Sequence, residues 1–192
     1  MFYRHLIKYL HTTIILISAV LLSSCFGIGS ESSNKSAWLS EYKWEWFNVD
    51  VPASWDIIDG QSGVLPLPSS WKIVLAASST NVNNNFSNNF LILAEDTKVW
   101  VDSEEFSKVT HISSQEDYYY YNKTSEKNIT FLDEMSSILY VFEARYNQNT
   151  PKIQFLQTGR LCGDKSYLLT IAVSSTWDSS KYEEILKTFE CK

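Results

Sequence analysis

Histidine, glycine, cysteine and basic side chains are all sparse in this chain, and each shortage closes a class of function. Of the three histidines, His5 and His11 fall within the first eleven residues, so His111 stands alone in the remainder. One imidazole supplies no paired ligands, and no His/Cys cluster has the spacing of a zinc site. The six glycines form no Walker loop, no dinucleotide fingerprint and no Gly-x-Ser-x-Gly elbow. No metal site and no cofactor is therefore implied. Nor does any apolar run comfortably reach the roughly 18 to 20 residues needed to cross a bilayer as a helix. Asp and Glu number 22 against 16 Lys and Arg, a formal charge of −6. Such a surface repels phosphate backbones and anionic headgroups, which argues against nucleic acid as a partner.

What is present begins with an address. Arg4 and Lys8 precede an apolar stretch from Thr12 to Leu22, small residues Ser23 and Ser24 follow, and no acid occurs before Glu31. A basic start, a short apolar run and small residues at its end describe a secretory signal peptide over residues 1–24. The rival, a transmembrane helix, needs a longer run. Leu22-Ser23-Ser24-Cys25 resembles the lipobox of bacterial lipoproteins. That resemblance implies cleavage before Cys25, a diacylglycerol on its sulfur and acylation of the new amine. Cys25 is then an anchor rather than a nucleophile; the alternative is an ordinary secreted chain with an odd cysteine. Two acyl chains hold a protein stably where one holds only marginally. Phe26, where Asp favours inner-membrane retention in Gram-negative lipoproteins, leans toward the outer membrane without deciding between the two. Loss of the leader removes Arg4 and Lys8, leaving 14 basic residues against 22 acidic ones, a formal −8.

After Cys25 the stretch "FGIGSESSNKS" reads as a Gly/Ser-rich tether, so residues 25–36 link the anchor to one domain over 37–192. In "WEWFNVDVPASW", Phe47, Val49 and Val51 alternate with polar residues, a strand that Pro52 ends. "WKIVLAAS" (71–78) and "FLILAED" (90–96) read as strands buried on both faces, with the Asn-rich segment between them a solvated loop. A helix opens near Asp102, which pairs with Glu105 as a capping box and carries Phe106, Val109 and Ile112 on one side. Four strands follow: "KNITFLDE", "SSILYVFEARYN", "KIQFLQTGRL" and "SYLLTIAVSS". "CGDK" (162–165) turns between the last two. A terminal helix, boxed by Ser180 and Glu183, presents Tyr182, Ile185, Leu186 and Phe189 as its apolar stripe. Lipidation of Cys25 leaves Cys162 and Cys191. The last helix must return along the sheet to bury its stripe, which brings Cys191 back to the turn at Cys162 and favours a disulfide over two separate thiols.

The Val-x-Val-Pro-x-x-Trp opening (Val49 to Trp55), the element order and the ending "TFEC" together resemble the PsbP-like family. This family is named after a photosystem II subunit and includes small bacterial lipoproteins; its fold resembles that of a Ran-binding nuclear-transport protein. The resemblance implies an α+β fold, a central antiparallel sheet with helices packed on both faces as an α/β/α sandwich. It also implies a binding or assembly role rather than catalysis, with no site motif to carry across. The expected function is a lipid-anchored, non-catalytic module of the cell envelope, on the cell membrane or outer membrane and facing away from the cytoplasm. Its expected partner there is another envelope protein. Two alternatives stay open. One is an envelope hydrolase using His111 with a carboxylate, although a lone helical His more often sits at a surface or cap. The other is a carbohydrate-binding module using exposed aromatics from "WLSEYKWEW" (38–46) or "EDYYYYN" (116–122), most of which are expected to pack in the core or along its edge. The acidic groups Asp102/Glu104/Glu105 and Glu116/Asp117 are read as helix-end residues in preference to a calcium or magnesium site.

Overall fold

The computed structural model describes residues 37–58, 71–97, 101–174 and 178–192. The expected signal peptide over 1–24, the expected lipobox with Cys25 and the expected tether over 25–36 lie outside the described residues. The N-terminal segment Met1–Ser36 and the domain Ala37–Lys192 are separate units.

The domain is α+β. Seven antiparallel strands form the main sheet: β3 (Trp55–Ile58), β4 (Lys72–Asn83), β5 (Phe86–Asp96), β6 (Tyr119–Thr130), β7 (Ser136–Arg145), β8 (Ile153–Cys162) and β9 (Lys165–Ser174), in the order β3-β4-β5-β9-β8-β7-β6. A small sheet joins β1 (Leu39–Lys43), β2 (Phe47–Pro52) and β10 (Glu190–Cys191) with β2 at its centre. Two helices complete the domain, α1 (Ser103–Asp117) and α2 (Ser180–Lys187).

Alternation along the central strands divides them between two cores. Leu139, Val141, Leu156, Leu169 and Ile171 face a large core closed by β2 and by Tyr182, Ile185, Leu186 and Phe189 of the α2 region. Each fully buried phenylalanine, such as Phe47, Phe90 or Phe189, contributes roughly 2–3 kcal/mol. Tyr140, Phe142, Ala144 and Phe155 point the other way, under α1, which packs on β7 and β8. Helices thus cover both faces, as the sequence predicts.

Two hairpins carry their turn chemistry openly. Asn84 (φ 52°) and Asn85 (φ 61°) form the β4–β5 turn, and Gly163 (φ 62°) leads the two-residue turn between Cys162 and Lys165. Asparagine and glycine tolerate that left-handed region.

Four local expectations need correction. The Asn-rich segment is not a long solvated loop: β4 and β5 run through it, and only Asn84 and Asn85 turn. Asn88 is buried, donating from Nδ2 to the Tyr182 hydroxyl (2.9 Å) and accepting from the Ser174 N–H (2.9 Å). Nor are β4 and β5 buried on both faces; each alternates, with Leu75, Ala77, Phe90 and Ile92 inside. The α2 cap is supplied by Asp178, whose Oδ1 accepts from the Ser180 N–H at 2.9 Å. Glu183 pairs instead with Lys127 and Lys187.

The fourth correction concerns α1. Asp102 caps it through the Glu105 N–H (2.8 Å), but Val109 and Ile112 are exposed. The buried side is Ser103, Phe106, Ser107, His111 and Ser114. The reason lies in the sheet. Paired register between β7 and β8 stops at Leu139↔Thr158, leaving nearby backbone groups to other partners. Ser107 Oγ donates to the Ile138 carbonyl (2.7 Å) and accepts from the Gly159 N–H (3.1 Å), while Ser103 Oγ accepts from the Leu161 N–H (3.0 Å). Serine hydroxyls continue the ladder where the strands part, and that bonding outweighs the apolar period of the exposed side.

Candidate functional site

The densest group of titratable side chains lies at the seam between α1 and the β6–β7 pair. The helical spacing of Ser103, Ser107 and His111 turns the imidazole toward the sheet, and only 3% of it is exposed. It stacks on Tyr140, with centroids 3.7 Å apart and planes at 6°. Its Nε2 meets the Tyr121 hydroxyl at 2.7 Å. The expected surface or cap position for His111 is therefore overturned. An aromatic sheet face with a polar rim buries it well, since Tyr121 satisfies one nitrogen and Tyr140 covers the ring.

Charge at this seam comes from the edge strand. Glu126 stands opposite Tyr140 in register, and Lys123 opposite Phe142. Lys123 Nζ meets Glu126 Oε2 at 2.6 Å and lies 5.9 Å from the Tyr140 ring centroid. Burial, aided by the Lys123 charge, lowers the His111 pKa to about 4 against the opposing pull of Glu126 and Gln157. Burial likewise raises the Tyr121 and Tyr140 hydroxyls. Burial favours the uncharged ring, whose Nε2 shares one hydrogen with the Tyr121 hydroxyl. Among the described residues Nδ1 and the Gln157 Oε1 form no hydrogen bond, although Gln157 is near enough to favour the charged ring.

No carboxylate hydrogen-bonds to this imidazole among the described residues, and its Nε2 is engaged by the Tyr121 hydroxyl. A general base works best with a pKa near the working pH, and burial holds that of His111 well below neutrality. Its geometry is that of a buried spacer between helix and sheet.

The other residues singled out in the sequence fall elsewhere. Cys162 and Cys191 are joined, with Cα atoms 5.6 Å apart; the bridge ties β10 to the β8–β9 turn. Asp102, Glu104 and Glu105 occupy the first turn of α1. Glu116 and Asp117 stand in its last turn, where the helix dipole disfavours them. Among the described residues no three His, Cys, Asp or Glu gather to hold a metal ion, and no helix is long and apolar enough to cross a membrane. The aromatics divide. Tyr118 packs 4.6 Å from Phe155. Tyr119 and Tyr120 are exposed, as are Trp38, Trp44 and Trp46.

One ionic site escaped the sequence reading. Arg160, 4% exposed, donates to Asp133 (2.6 Å) and Ser103 Oγ (3.2 Å) and lies 5.4 Å from the Phe131 ring centroid. Arg160 lies two residues before the end of β8, and nothing in local spacing pairs it with Asp133, 27 residues away.

No known family model matches the chain, and none of the curated proteins matches it in sequence. Solved structures do. The solution structure of cyanobacterial PsbP (CyanoP) from Synechocystis sp. PCC 6803 superposes with a TM-score of 0.52 at 14% identity, covering 86% of this chain and 99% of that one. The fold is PsbP-like. The PsbP-like domain is also similar, more distantly, to a Bacteroides thetaiotaomicron protein (TM-score 0.48, 12% identity), of which the chain spans 45% of the length. A further similar structure is the Saccharomyces cerevisiae Ran-binding protein Mog1p (TM-score 0.45, 10% identity, 79% of this chain and 94% of that one). At these identities what is shared with the PsbP-like domain is its backbone arrangement.

Proposed function

We propose that the chain is a lipid-anchored protein of the cell envelope whose PsbP-like domain serves as a non-catalytic binding or assembly module. The single observation that carries this reading is the run from Thr12 to Cys25, an apolar stretch behind Arg4 and Lys8 ending in Leu-Ser-Ser-Cys. The bridge between Cys162 and Cys191 supports an oxidising compartment outside the cytoplasm. It also leaves Cys25 as the one cysteine outside a disulfide. The buried, tyrosine-bonded state of His111 supports a non-catalytic role over a hydrolase built on that residue. The partner is another envelope protein, and the acidic surface argues against nucleic acid.

Mass spectrometry of the N-terminal peptide, on protein taken from bacterial membranes, tests the anchor. The expected peptide begins at Cys25 and carries diacylglycerol; one beginning upstream, or bearing no lipid, refutes it. Crosslinking in the native envelope then identifies the neighbour. A turnover activity abolished by one point substitution would overturn the non-catalytic role.

A further inference from the structure

Away from the α1 seam, the described surface carries three exposed tryptophans, at the two ends of one strand, that packing does not use up. Trp38, Trp44 and Trp46 are 39%, 41% and 45% exposed. They bracket β1, a free edge of the small sheet: Trp38 just before it, Trp44 and Trp46 just after. Trp44 lies nearly parallel to Tyr42, with centroids 6.2 Å apart and planes at 11°. Lys165 Nζ sits 5.6 Å from the Trp46 ring centroid, and Lys192 donates to the Trp44 carbonyl.

We propose that this edge is a second membrane contact, in which the three tryptophans seat in the headgroup layer of a zwitterionic phospholipid bilayer and lay the domain against it. The inference rests on the lipid anchor proposed above. Three observations choose the occupant. Only residues 26–36 separate Cys25 from the domain, and a coil of that length spans roughly 18 Å. The edge at Trp38 is therefore held within reach of whatever membrane Cys25 enters. Indole rings with one apolar body and one N–H donor prefer the interface between hydrocarbon and water, and lysine ammonium groups beside them reach to the headgroups. Lys43 pairs with Glu41 (3.2 Å) and Lys165 with Asp96 (2.7 Å), while Lys192 is held at the Trp44 carbonyl. Paired lysines on an acidic protein give no attraction to anionic lipid, so the contact is made by the rings on neutral headgroups. Anchoring supplies a high effective concentration, so a weak intrinsic affinity suffices to populate the docked state.

The test uses the full chain as purified with its lipid, reconstituted in phosphatidylcholine vesicles whose acyl chains are brominated near the headgroup. Flotation reports the anchor and tryptophan emission reports docking. With three of seven tryptophans at the interface, bromine is expected to remove about two fifths of the emission, equally at low and high salt. In a W44A/W46A variant, which keeps five tryptophans with only Trp38 in the contact, the loss is expected to fall to about one fifth of its own emission. Both rings are exposed, and circular dichroism checks that the variant remains folded. Protein that floats with unquenched tryptophans overturns docking and leaves the anchor standing; protein that does not float overturns both. A quenched fraction that stays at about two fifths in the folded variant removes Trp44 and Trp46 from the contact and refutes the proposal. Unquenched rings that instead respond to soluble cell-wall glycan, or to a second copy on concentration, reassign the surface and refute the proposal.

Discussion

Gly159 lies where α1 crosses β8, and a single methyl group there tests the account of that crossing. A Cβ at this position would stand 2.5 Å and 2.9 Å from Phe106 Cδ1 and Cε1, and 3.1 Å from the Ser107 Cα. Carbon contacts settle near ~3.5–4.0 Å, so the helix must retreat by about 1 Å. Phe106 has little room to turn away, being 7% exposed and packed near Trp71 (6.4 Å between centroids). Overpacking of this kind costs about 1–3 kcal/mol. Retreat also stretches the Ser107 bonds to Gly159 and Ile138, at about 1 kcal/mol each. The reduced freedom of the unfolded chain returns about 0.4–1 kcal/mol. Gly159→Ala is therefore expected to destabilise the domain by about 2–3 kcal/mol, moving the urea midpoint down by about 1 M. The same change in a Phe106→Ala background is expected to cost at least about 1 kcal/mol less, because the main obstacle is gone. A loss below about 0.5 kcal/mol, or an equal loss in both backgrounds, would refute the close-packed crossing.

Further outcomes are open to the same measurements. Replacing Cys162 and Cys191 by serine releases a cross-link spanning 29 residues and is expected to cost about 3–4 kcal/mol in the chain-entropy model; an unchanged thermal midpoint would contradict it. His111 binds its proton more weakly folded, at about pH 4, than unfolded, near ~6.5. The stability it confers is thus complete above the unfolded value and drains away as pH falls toward the folded one. Facing Lys123, Glu126, Tyr121 and Tyr140, the ring is expected to account for about 2–3 kcal/mol between those limits. A His111→Phe variant should lack that portion of the pH–stability slope; an identical slope would argue that the ring is not the source. Asp133→Ala leaves the Arg160 guanidinium buried without its carboxylate and is expected to cost about 2–4 kcal/mol. A neutral result by chemical denaturation would mean the charge has another outlet.

The layout was legible because its determinants are local and repetitive. Alternation in Tyr140, Phe142 and Ala144, the stripe Tyr182, Ile185, Leu186 and Phe189, and the turn at Gly163 each declare themselves within a few residues. The disulfide was legible from parity and direction, because a helix returning along the sheet has one place to end. What stayed hidden depended on partners distant in sequence. Val109 and Ile112 have helical spacing, yet the buried side of α1 is set by broken pairing between β7 and β8, which only serines in register can repair. His111 looks like a surface residue until Tyr121 and Tyr140 are brought beside it. The exposure of Trp44 and Trp46 depends on which edge of the small sheet is left bare, and aromatic content alone does not reveal it.

One consequence follows from β2 lying between the first and last strands of the domain. Its second neighbour, Glu190–Cys191, comes from far along the chain, and the Asp50 N–H is bonded to Thr188, 138 residues away. Closing that slot joins segments about 140 residues apart, a non-local pairing that forms slowly. The small sheet is thus a late-closing element of the fold, since β2 has only its β1 edge paired until Glu190–Cys191 docks.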